Sequence, residues 1–459
     1  MDESKRQFIL NRMKGLQKDV EVGRRTRTEL AASQAPVRKQ PGFEDLAEYK
    51  QVVMQQLAGR HLGMENPFYR AHEGASGATA QIGGRSFDNF ASYDYLGLNH
   101  HPKVLARASE ALQTFGVSAS ASRLVAGERT IHTVLEQNIA DVYDAQAAVC
   151  FVSGYLTNVA AISALVGPKD LVIHDEFIHN SALAGVRLSG ATRRFFKHND
   201  IADLERVLKP LAGDYERILV IVEGVYSMDG DIADLPALIR LKQQYGYWLM
   251  VDEAHSLGVL GDTGRGVFEH FGMAAGEVDI WMGTLSKTSC SCGGYVAGSE
   301  ALITLLKAQA GGFVYSVGLA PALAAAAIAS LGILKDEPER THQLRRNSRL
   351  FLELARERGL DTGLSQGYSV VPVLVADSLR AVQLSNELHA DGINVLPIIH
   401  PAVPEGLARL RFFITSAHTE DQIARAVDRT ATILSRLKQE NFGLGSFDPT
   451  QLMALLSKS

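Results

Sequence analysis

The chain has 459 residues, a length that fits two or three ordinary domains or one large α/β enzyme. Its 46% hydrophobic and 21% charged residues lie near the globular average, which excludes wholesale disorder. Lysine and arginine total 46 against 51 aspartates and glutamates, for a formal net charge of -5. The chain lacks the basic excess of a phosphate-backbone binder, so we expect no nucleic-acid partner.

Three cysteines, Cys150, Cys290 and Cys292, are too few and too unevenly placed for a disulfide framework or a four-ligand zinc site. Such sparse cysteine usage is typical of a reducing compartment, so we expect a cytoplasmic protein without a bound metal. Residues 1–25 contain no apolar signal-peptide core, and no window approaches the roughly 18 apolar residues of a transmembrane helix.

Residues 1–84 differ from the rest of the chain and are predicted to form a helical extension and lead-in. Gln40-Pro41-Gly42 ends a helical pattern in this segment. Two interpretations stay open: a surface helix packed on the body of an enzyme, or a docking element for a carrier protein or a membrane surface. The apolar residues that recur at helical spacing are Ile9, Met13, Leu16 and Val20.

Short apolar, β-branched runs alternate with helical patterns from about residue 90 to 300. This alternation is typical of buried parallel strands joined by crossover helices. We therefore predict an α/β large domain over residues 85–325 with a mostly parallel sheet. In chain order, its predicted elements are helix 131–144, strands 148–152, 171–174 and 218–223, helix 235–245, and strands 248–252 and 279–283.

The remainder of the chain has a different order of elements. After Pro321 the pattern is helical through about Arg358. Strand-like 369–375, a helix over 378–391 and strand-like 410–415 then follow. This order predicts a smaller α+β domain over residues 326–440 and a tail over 441–459.

Polar residues follow the predicted strands of the large domain at their carboxyl ends, where the ligands of open parallel sheets gather. Taken singly, each has an ordinary explanation: a turn for Ser153-Gly154, a buried histidine for His179 and a solvated lysine for Lys287. The residues at five successive strand ends nevertheless supply the parts of one chemical requirement. Their joint occurrence therefore favours a functional site over five separate ordinary explanations.

That requirement belongs to pyridoxal 5′-phosphate, which needs a lysine for its Schiff base, an acidic partner for its pyridinium nitrogen, a phosphate cup and a flat group against its ring. Lys287, Asp252 and His179 would supply the lysine, the acid and the flat group. The cup would be formed by Gly154, Tyr155, Ser227 and Thr284. No Walker loop, Rossmann glycine fingerprint or zinc-ligand spacing supports another cofactor.

Six motifs occur in one order along about 350 residues, from about residue 85 to 435. They are Tyr93-Asp94-Tyr95-Leu96-Gly97-Leu98, Glu223-Gly224-Val225-Tyr226-Ser227-Met228-Asp229-Gly230, Val251-Asp252-Glu253-Ala254-His255-Ser256-Leu257-Gly258, Gly261-Asp262-Thr263-Gly264-Arg265-Gly266, Thr284-Leu285-Ser286-Lys287 and Cys292-Gly293-Gly294-Tyr295. Together they resemble the α-oxoamine synthases, a subgroup of the fold-type-I pyridoxal-phosphate enzymes. The resemblance implies the fold-type-I transferase fold and a homodimer that joins an amino acid to an acyl thioester with loss of carbon dioxide.

The resemblance also implies catalytic roles for four residues. Lys287 is similar to the lysine that attaches the cofactor and later removes the α-proton of the amino acid. Asp252 would hold the pyridine nitrogen protonated, and His255 would donate to the phenolate oxygen of the cofactor. His179 would stack on the ring and leave its nitrogens free for the substrate carboxylate.

Further residues are carried over to the phosphate and the substrate. Ser316 resembles a position that reaches the phosphate from the second subunit, an addition to the cup described above. Arg411 is similar to the clamp for the amino-acid carboxylate, which a bidentate guanidinium suits, whereas we expect Arg409 to be structural. Tyr93 is expected at the substrate.

The choice of substrate depends on a few positions. Tyr93 stands where the oxononanoate, aminoketobutyrate and aminolevulinate enzymes usually carry asparagine, and in this respect the chain resembles serine palmitoyltransferase. Asp94, however, departs from the asparagine that is common in the serine palmitoyltransferase subgroup. The first expectation is therefore a serine palmitoyltransferase-like enzyme of sphingolipid biosynthesis that uses L-serine or another small amino acid. The alternatives are an 8-amino-7-oxononanoate synthase or glycine C-acetyltransferase type of activity, an acyl carrier protein as donor instead of acyl-CoA, and a non-catalytic partner subunit. The segment from Asp252 to His255 disfavours a plain aminotransferase.

Overall fold

The computed structural model describes residues 40–61, 63–211 and 213–444. The chain divides into two compact units, residues 1–58 and 59–459. The predicted helix that contains Ile9 and Val20 lies outside the described residues, so both interpretations of it stay open. The first described helix, α1, spans Ala47–His61 and follows a 3-10 turn at Phe43–Asp45.

Strands and helices alternate along most of the second unit. The strands are β1 (Thr79–Ile82), β2 (Arg85–Asn89), β3 (Ala147–Phe151), β4 (Leu171–Asp175), β5 (Thr192–Phe196), β6 (Ile218–Glu223), β7 (Trp248–Asp252), β8 (Ile280–Thr284), β9 (Gly294–Gly298), β10 (Val370–Ala376), β11 (Ile393–Asn394), β12 (Pro397–Ile398) and β13 (Ala408–Phe413). The remaining helices are α2 (Pro102–Phe115), α3 (Thr130–Val142), α4 (Gly154–Leu165), α5 (Asn180–Ser189), α6 (Ile201–Leu208), α7 (Leu235–Tyr245), α8 (Val267–His270), α9 (Glu300–Gln309), α10 (Gly311–Val314), α11 (Pro321–Asp336), α12 (Glu339–Glu357), α13 (Ser378–Ala390) and α14 (Glu420–Gln439).

The central sheet has seven strands in the order β3-β9-β8-β7-β6-β4-β5. Strands β4 to β8 pair in parallel, whereas β9 runs antiparallel to both of its neighbours, β3 and β8. The five strands predicted for this domain lie within about one residue of their observed bounds. The predicted α/β fold with a mostly parallel sheet is therefore confirmed.

Two strands of this sheet escaped prediction. Strand β5 is an edge strand that carries Arg193 and Arg194, and charged edge residues weaken the apolar pattern that identifies a strand. Strand β9 begins at Gly294 and ends at Gly298, and glycine at both ends of a short segment indicates a loop rather than a strand.

The central sheet is buried on both faces. Along β6, Leu219 and Ile221 join one apolar cluster, and Val220 and Val222 join the other. Residues that alternate along a strand point to opposite faces, so a strand covered on both sides must be apolar throughout. This burial explains why the strands read as continuous apolar runs and why polar residues begin only at their carboxyl ends.

The helices start where the sequence indicates. Helix α7 begins after Asp234, whose side chain accepts a hydrogen bond from Ala237 N at 3.0 Å, and has proline in its first turn. Helix α3 matches the predicted helix 131–144 to within about two residues. None of the helices in the described part of the chain combines the length and hydropathy needed to cross a bilayer.

Two small sheets lie outside the central one: β10-β13-β12, formed by C-terminal strands, and β1-β2-β11, which combines two strands before the central sheet with a C-terminal one. The predicted strands 369–375 and 410–415 and the helix 378–391 correspond to β10, β13 and α13. Strand β2 pairs with β11, so residues 85–89 join a C-terminal strand rather than the central sheet. Helix α11 begins at Pro321, before the predicted domain boundary at residue 325, and packs on α2 and α3. The domain boundaries at 84, 325 and 440 stay a prediction.

A buried ionic cluster lies beside the carboxyl ends of β4 and β5. His198 places Nδ1 2.9 Å from Asp175 Oδ1 and Nε2 2.9 Å from Asp231 Oδ2. The imidazole stacks on Phe177 with ring centroids 4.4 Å apart. Burial alone would lower the pKa of His198, but the two carboxylates outweigh it and raise the pKa to about 10.

The charge on His198 makes stability depend on pH. Its stabilising contribution is complete below the unfolded-state pKa of about 6.5 and is lost as pH rises through the folded-state pKa of about 10. We expect His198→Gln to lower the melting temperature by about 5 °C at pH 6 and by progressively less toward pH 10. Thermal unfolding at several pH values measures this difference. The exposed His100→Gln is the control, and an equal loss at pH 6 and pH 10 would contradict the charge assignment.

Candidate active site

Three ionisable side chains meet at the carboxyl edge of the central sheet. Glu223 ends β6 and Asp252 ends β7, and the two residues are paired in register on neighbouring parallel strands. Lys287 follows β8, with Nζ 5.7 Å from the centroid of the Tyr93 ring. Burial lowers the pKa of Lys287 to about 8, although the charges of Asp252 and Glu223 oppose the shift. Lys287 can therefore release and take up a proton near neutral pH.

Asp252 is buried and held from two sides. Its Oδ2 accepts a hydrogen bond from Asn158 Nδ2 at 2.9 Å, and its Oδ1 accepts one from Ala254 N at 3.0 Å. Both oxygens keep a lone pair for a further donor. A carboxylate oriented in this way suits a protonated ring nitrogen.

A chain of hydrogen bonds runs from Asp252 to His179. Asn158 Nδ2 also donates to Ser181 Oγ at 2.9 Å, and Ser181 Oγ lies 2.7 Å from His179 Nδ1. Ser181 N donates to the same Nδ1 at 3.2 Å, which assigns Nδ1 as the acceptor and Nε2 as the protonated nitrogen. Burial lowers the pKa of His179, so the ring is neutral and presents an Nε2–H donor.

His255 is a second neutral histidine. Its Nδ1 lies 2.6 Å from the hydroxyl of the buried Tyr95. Burial lowers the pKa of His255 far below its usual value and raises that of Tyr95, so the phenol keeps its proton and can donate to Nδ1. The Nε2–H of His255 is then available to a phenolate oxygen.

Glu223 begins one of the six motifs, but the sequence assigns it no function. Its Oε2 accepts from Ser227 N at 3.1 Å, and its buried Oε1 has no hydrogen-bond partner among the described residues. Burial and the neighbouring Asp252 raise the pKa of Glu223 to about 8. Asn158, Ser181 and Tyr95 were also missed, because a helical or loop position in sequence does not show which strand end a side chain reaches.

Two residues of the predicted phosphate cup, Gly154 and Thr284, lie together at the N-terminus of α4. Ser153 caps the helix by accepting from Leu156 N at 3.1 Å, and the first backbone N–H groups of a helix are unused within it and attract anions. A Cβ on Gly154 would lie 2.8 Å from Thr284 Oγ1, so glycine lets the helix approach β8. The Thr284 hydroxyl donates to Gly293 O at 3.0 Å.

The other cup residues lie less close together. Tyr155 is exposed, and its hydroxyl donates to Asn180 Oδ1 at 3.3 Å. Ser227 lies on the segment after β6, and its carbonyl accepts from Arg411. Ser316 is half-buried between α10 and α11, and within the described part of this single chain no hydrogen bond joins it to the other site residues.

Arg411 lies on β13 and faces the same site. Its Nη1 donates to Ser227 O at 2.8 Å, and its guanidinium carbon lies 4.7 Å from the centroid of the Phe413 ring. Tyr93 packs edge-on against Phe413 with ring centroids 4.6 Å apart. The buried Nε of Arg411 has no partner in residues 40–61, 63–211 or 213–444, which leaves a donor for an anionic ligand.

Asp94 is explained by local structure. Its Oδ1 accepts from Leu98 N at 2.7 Å and from the Cys290 thiol at 3.1 Å, and its Oδ2 accepts from Asn99 N at 3.1 Å. These bonds hold the turn after Tyr93 and tie it to the segment that carries Lys287. Asp94 therefore orders the backbone beside Tyr93.

The donor set fits pyridoxal phosphate. A lysine of lowered pKa, a buried carboxylate, two neutral histidines and a capped helix N-terminus lie within one cluster. The positive charges of Lys287 and Arg411 add to burial in lowering the pKa of both His179 and His255. Lys287 and Asp252 would hold the reactive group and the ring nitrogen, and the start of α4 would hold the phosphate.

Comparison with known proteins agrees with this chemistry. The family model for aminotransferase class I and II matches residues 87–429. A relative named 8-amino-7-oxononanoate synthase from Symbiobacterium thermophilum is 43% identical over 352 residues, which cover 77% of this chain and 89% of the relative. A relative of the same name from Treponema denticola is 40% identical over 355 residues, with 77% and 89% covered.

A solved structure shows the same fold with the cofactor present. It is a serine palmitoyltransferase from S. paucimobilis that holds PLP joined to myriocin. It is 28% identical in sequence, has a TM-score of 0.83, and the match covers 87% of this chain and 100% of that chain. The predicted cofactor is thereby confirmed, and the chain belongs to the α-oxoamine synthases, the pyridoxal-phosphate-dependent acyltransferases of fold type I.

Proposed function

We propose that this chain joins L-alanine to the thioester of a seven-carbon dicarboxylic acid, with loss of carbon dioxide. The relatives that carry the name 8-amino-7-oxononanoate synthase are 40% and 43% identical, whereas the serine palmitoyltransferase is 28% identical. This difference favours the alternative activity over the first expectation of L-serine. The observation that carries the proposal is therefore sequence identity within one confirmed family.

The chemistry of the product named by those relatives identifies both substrates. In 8-amino-7-oxononanoate the amino group lies on carbon 8, next to a ketone at carbon 7 and a terminal methyl group. A decarboxylative condensation makes the new bond between the amino-bearing carbon and the acyl carbon. The methyl and amino-bearing carbons then come from alanine, and carbons 1–7 come from an acyl chain that ends in a carboxylate.

The residues of this chain support each stage of such a reaction. When bound, pyridoxal phosphate supplies the electron sink that stabilises a carbanion at the α-carbon. Arg411 binds the amino-acid carboxylate, and Lys287 Nζ, whose pKa is about 8, takes the α-proton. Asp252 holds the ring nitrogen protonated, and the Nε2–H groups of His255 and His179 donate to the cofactor oxygen and the substrate.

The bonds balance without a further reagent. The α-carbon attacks the thioester carbonyl and the thiolate leaves, so a carbon–carbon bond replaces a carbon–sulfur bond. The bond to the carboxylate then breaks and carbon dioxide leaves. Lys287 returns the proton to the α-carbon, since its pKa lies close to neutral pH.

The homodimer is also part of the proposal. Exposed apolar side chains cluster where the backbone of Ser122 bridges Val317, a contact that places the π-helix at Arg123–Gly127 beside the segment before α11. In this cluster Val125 is 80% exposed and Tyr315 is 88% exposed. Exposed apolar patches of this kind mark protein interfaces. We propose that a second copy covers this patch and that Ser316, within it, reaches the partner's phosphate site.

The remaining expectations stay predictions. Residues 1–39 lie outside the described residues, so both interpretations of them stay predictions: a packed helix, or a docking element for a carrier protein or membrane. The free thiols of Cys150, Cys290 and Cys292 are consistent with the proposed cytoplasmic location.

Mass spectrometry of products tests the choice of substrates. The holoenzyme receives L-alanine, L-serine and glycine together with pimeloyl-CoA, palmitoyl-CoA and acetyl-CoA. We expect 8-amino-7-oxononanoate as the main product and none with Lys287→Ala, which lacks the proton acceptor. A main product of serine and palmitoyl-CoA would contradict the proposal and return the assignment to the serine palmitoyltransferase type.

Replacing the predicted carboxylate clamp tests substrate binding. We expect Arg411→Ala to weaken amino-acid binding by about 2 to 5 kcal/mol, because it removes a partly buried charged donor, while the cofactor absorbance stays the same. Titration of the holoenzyme with L-alanine measures the dissociation constant. Arg429→Ala, on the surface of α14, is the matched control. Unchanged affinity in Arg411→Ala would show that another group binds the carboxylate.

A charge inside the apolar patch tests the dimer. Light scattering is expected to give twice the chain mass of 49.8 kDa for the wild type and the monomer mass for Val125→Glu at micromolar concentration. Leu188→Glu is the control, because Leu188 is 68% exposed on α5, outside the patch. A monomeric wild type, or a dimeric Val125→Glu, would contradict the proposed interface.

A further inference from the structure

The segment that follows β6, residues 224–231, is anchored to the central sheet at both ends. Near its start, Ser227 N donates to Glu223 Oε2 at 3.1 Å. At its end, Asp231 joins the buried cluster through His198, and Asp231 O accepts from Tyr226 N at 2.9 Å. The segment is therefore a firm surface against which another element can be placed.

Strand β13 is attached to this segment through two arginines. Arg409 Nη1 forms a buried ion pair with Asp229, and Arg411 Nη1 donates to Ser227 O at 2.8 Å. Arg409, Arg411 and Phe413 occupy alternate positions of the strand, so they share one face. Leu410 lies on the opposite face, fully buried in the apolar core.

The backbone of the segment lies so close to the sheet β10-β13-β12 that no side chain fits between them at Gly230. Gly230 has a positive φ of 73°, and a Cβ on it would lie 2.0 Å from the carbonyl oxygen of Val370 on β10. Val370 is paired in register with Phe413 of β13. The backbone of the segment therefore touches the sheet that carries both arginines.

Arg411 itself has few fixed contacts. Its Nη1 donates to Ser227 O at 2.8 Å and to Met228 Sδ at 3.8 Å, its guanidinium packs on Phe413, and its Nε is unpartnered among the residues that the structure covers. Its position thus depends on where β13 lies relative to Ser227. Arg409 is two residues away, roughly 7 Å along the strand, and its ion pair with Asp229 is the nearest strong anchor.

We propose that the Asp229–Arg409 ion pair positions Arg411 to bind the carboxylate of the amino acid. This inference rests on the proposed function, because it assumes that Arg411 binds that carboxylate. Asp229 and Arg409 touch no substrate in this scheme, so they are positioning residues rather than catalytic ones. Since displacements of about 1 Å from a productive geometry are costly, we expect loss of the pair to weaken carboxylate recognition about tenfold.

The pair is well suited to this purpose because it is buried. Burial raises the pKa of Asp229 more than the charge of Arg409 lowers it, so ionised Asp229 depends on its partner. A buried ion pair has a narrow range of favourable geometries, and it therefore sets the register between two elements more firmly than a solvated one.

Two ligands that differ only in the carboxylate test the proposal. The wild-type holoenzyme is titrated with L-alanine and with ethylamine, and the ratio of the ethylamine dissociation constant to the alanine dissociation constant is obtained from the cofactor absorbance. We expect Asp229→Asn to reduce this ratio about tenfold, through weaker alanine binding and unchanged ethylamine binding. Arg409→Lys, which keeps the charge but loses the planar fork, should reduce it less.

Asp88→Asn is the matched control, since Asp88 is also buried and paired with an arginine, Arg425, on a different element. It should leave the ratio unchanged even if it lowers the melting temperature. If Asp229→Asn does not fold, the neutral pair Asp229→Asn with Arg409→Gln provides the same test without an unpaired buried charge.

Arg411→Ala separates the two ways in which the idea can fail. If Arg411→Ala loses the preference for alanine and the Asp229 and Arg409 variants keep it, the positioning inference is overturned and the proposed function stands. If Arg411→Ala keeps the preference, another group binds the carboxylate and the positioning inference is overturned, whereas the choice of substrates is still decided by the product analysis. Equal loss of alanine and ethylamine binding in Asp229→Asn would show a general structural effect and would also overturn the inference.

Discussion

The carboxylate of Asp252, at the end of a strand whose last four residues are buried, is the constraint around which this site is built. A buried carboxylate is costly unless donors surround it, and here Asn158 and the backbone of Ala254 supply them. Helix α4, which approaches the sheet closely at Gly154, carries Asn158 to Asp252, and Ser181 extends the network to His179. The positions of the helix, the loop and the histidine thus follow from one charge.

The same burial sets the protonation states of the surrounding groups. His179 and His255 are neutral because burial disfavours their charged forms, whereas His198, only a short distance along the same sheet edge, is held charged by two carboxylates. The pKa of Lys287, about 8, lies between those of the neutral and the charged histidines. The sheet edge therefore contains neutral donors and a lysine that can exchange a proton, beside a structural cluster in which His198 stays charged at neutral pH.

Prediction from sequence succeeded where a residue's function depends on its place along the chain and failed where it depends on packing between distant elements. The strand ends at Asp252 and Lys287 could be located because a doubly buried strand has a continuous apolar pattern. The contribution of Asn158 could not, since nothing in α4 indicates which carboxylate lies opposite.

Two further limits have physical causes. Strand β9 begins and ends with glycine and so is not identified by its pattern, although it pairs beside β3 in the sheet. Residue type alone does not distinguish Arg409 from Arg411, and the expectation for each comes from the family resemblance; the ion pair with Asp229 and the unpartnered Nε give the physical difference between them. The amino acid and acyl chain depend on contacts that no short motif encodes.

The antiparallel direction of β9 has a consequence for how this protein can change during evolution. Parallel neighbours need a crossover that accommodates a helix and tolerates insertions, but β8 and β9 are joined directly by residues 285–293. That connection is closed by hydrogen bonds from Leu285 N to Gly293 O at 3.0 Å and from Ser291 N to Leu285 O at 2.9 Å. Lys287 therefore lies on the one kind of connection in the sheet that has little freedom to lengthen, so new specificities are more readily acquired through the other loops, with the reactive lysine left in place.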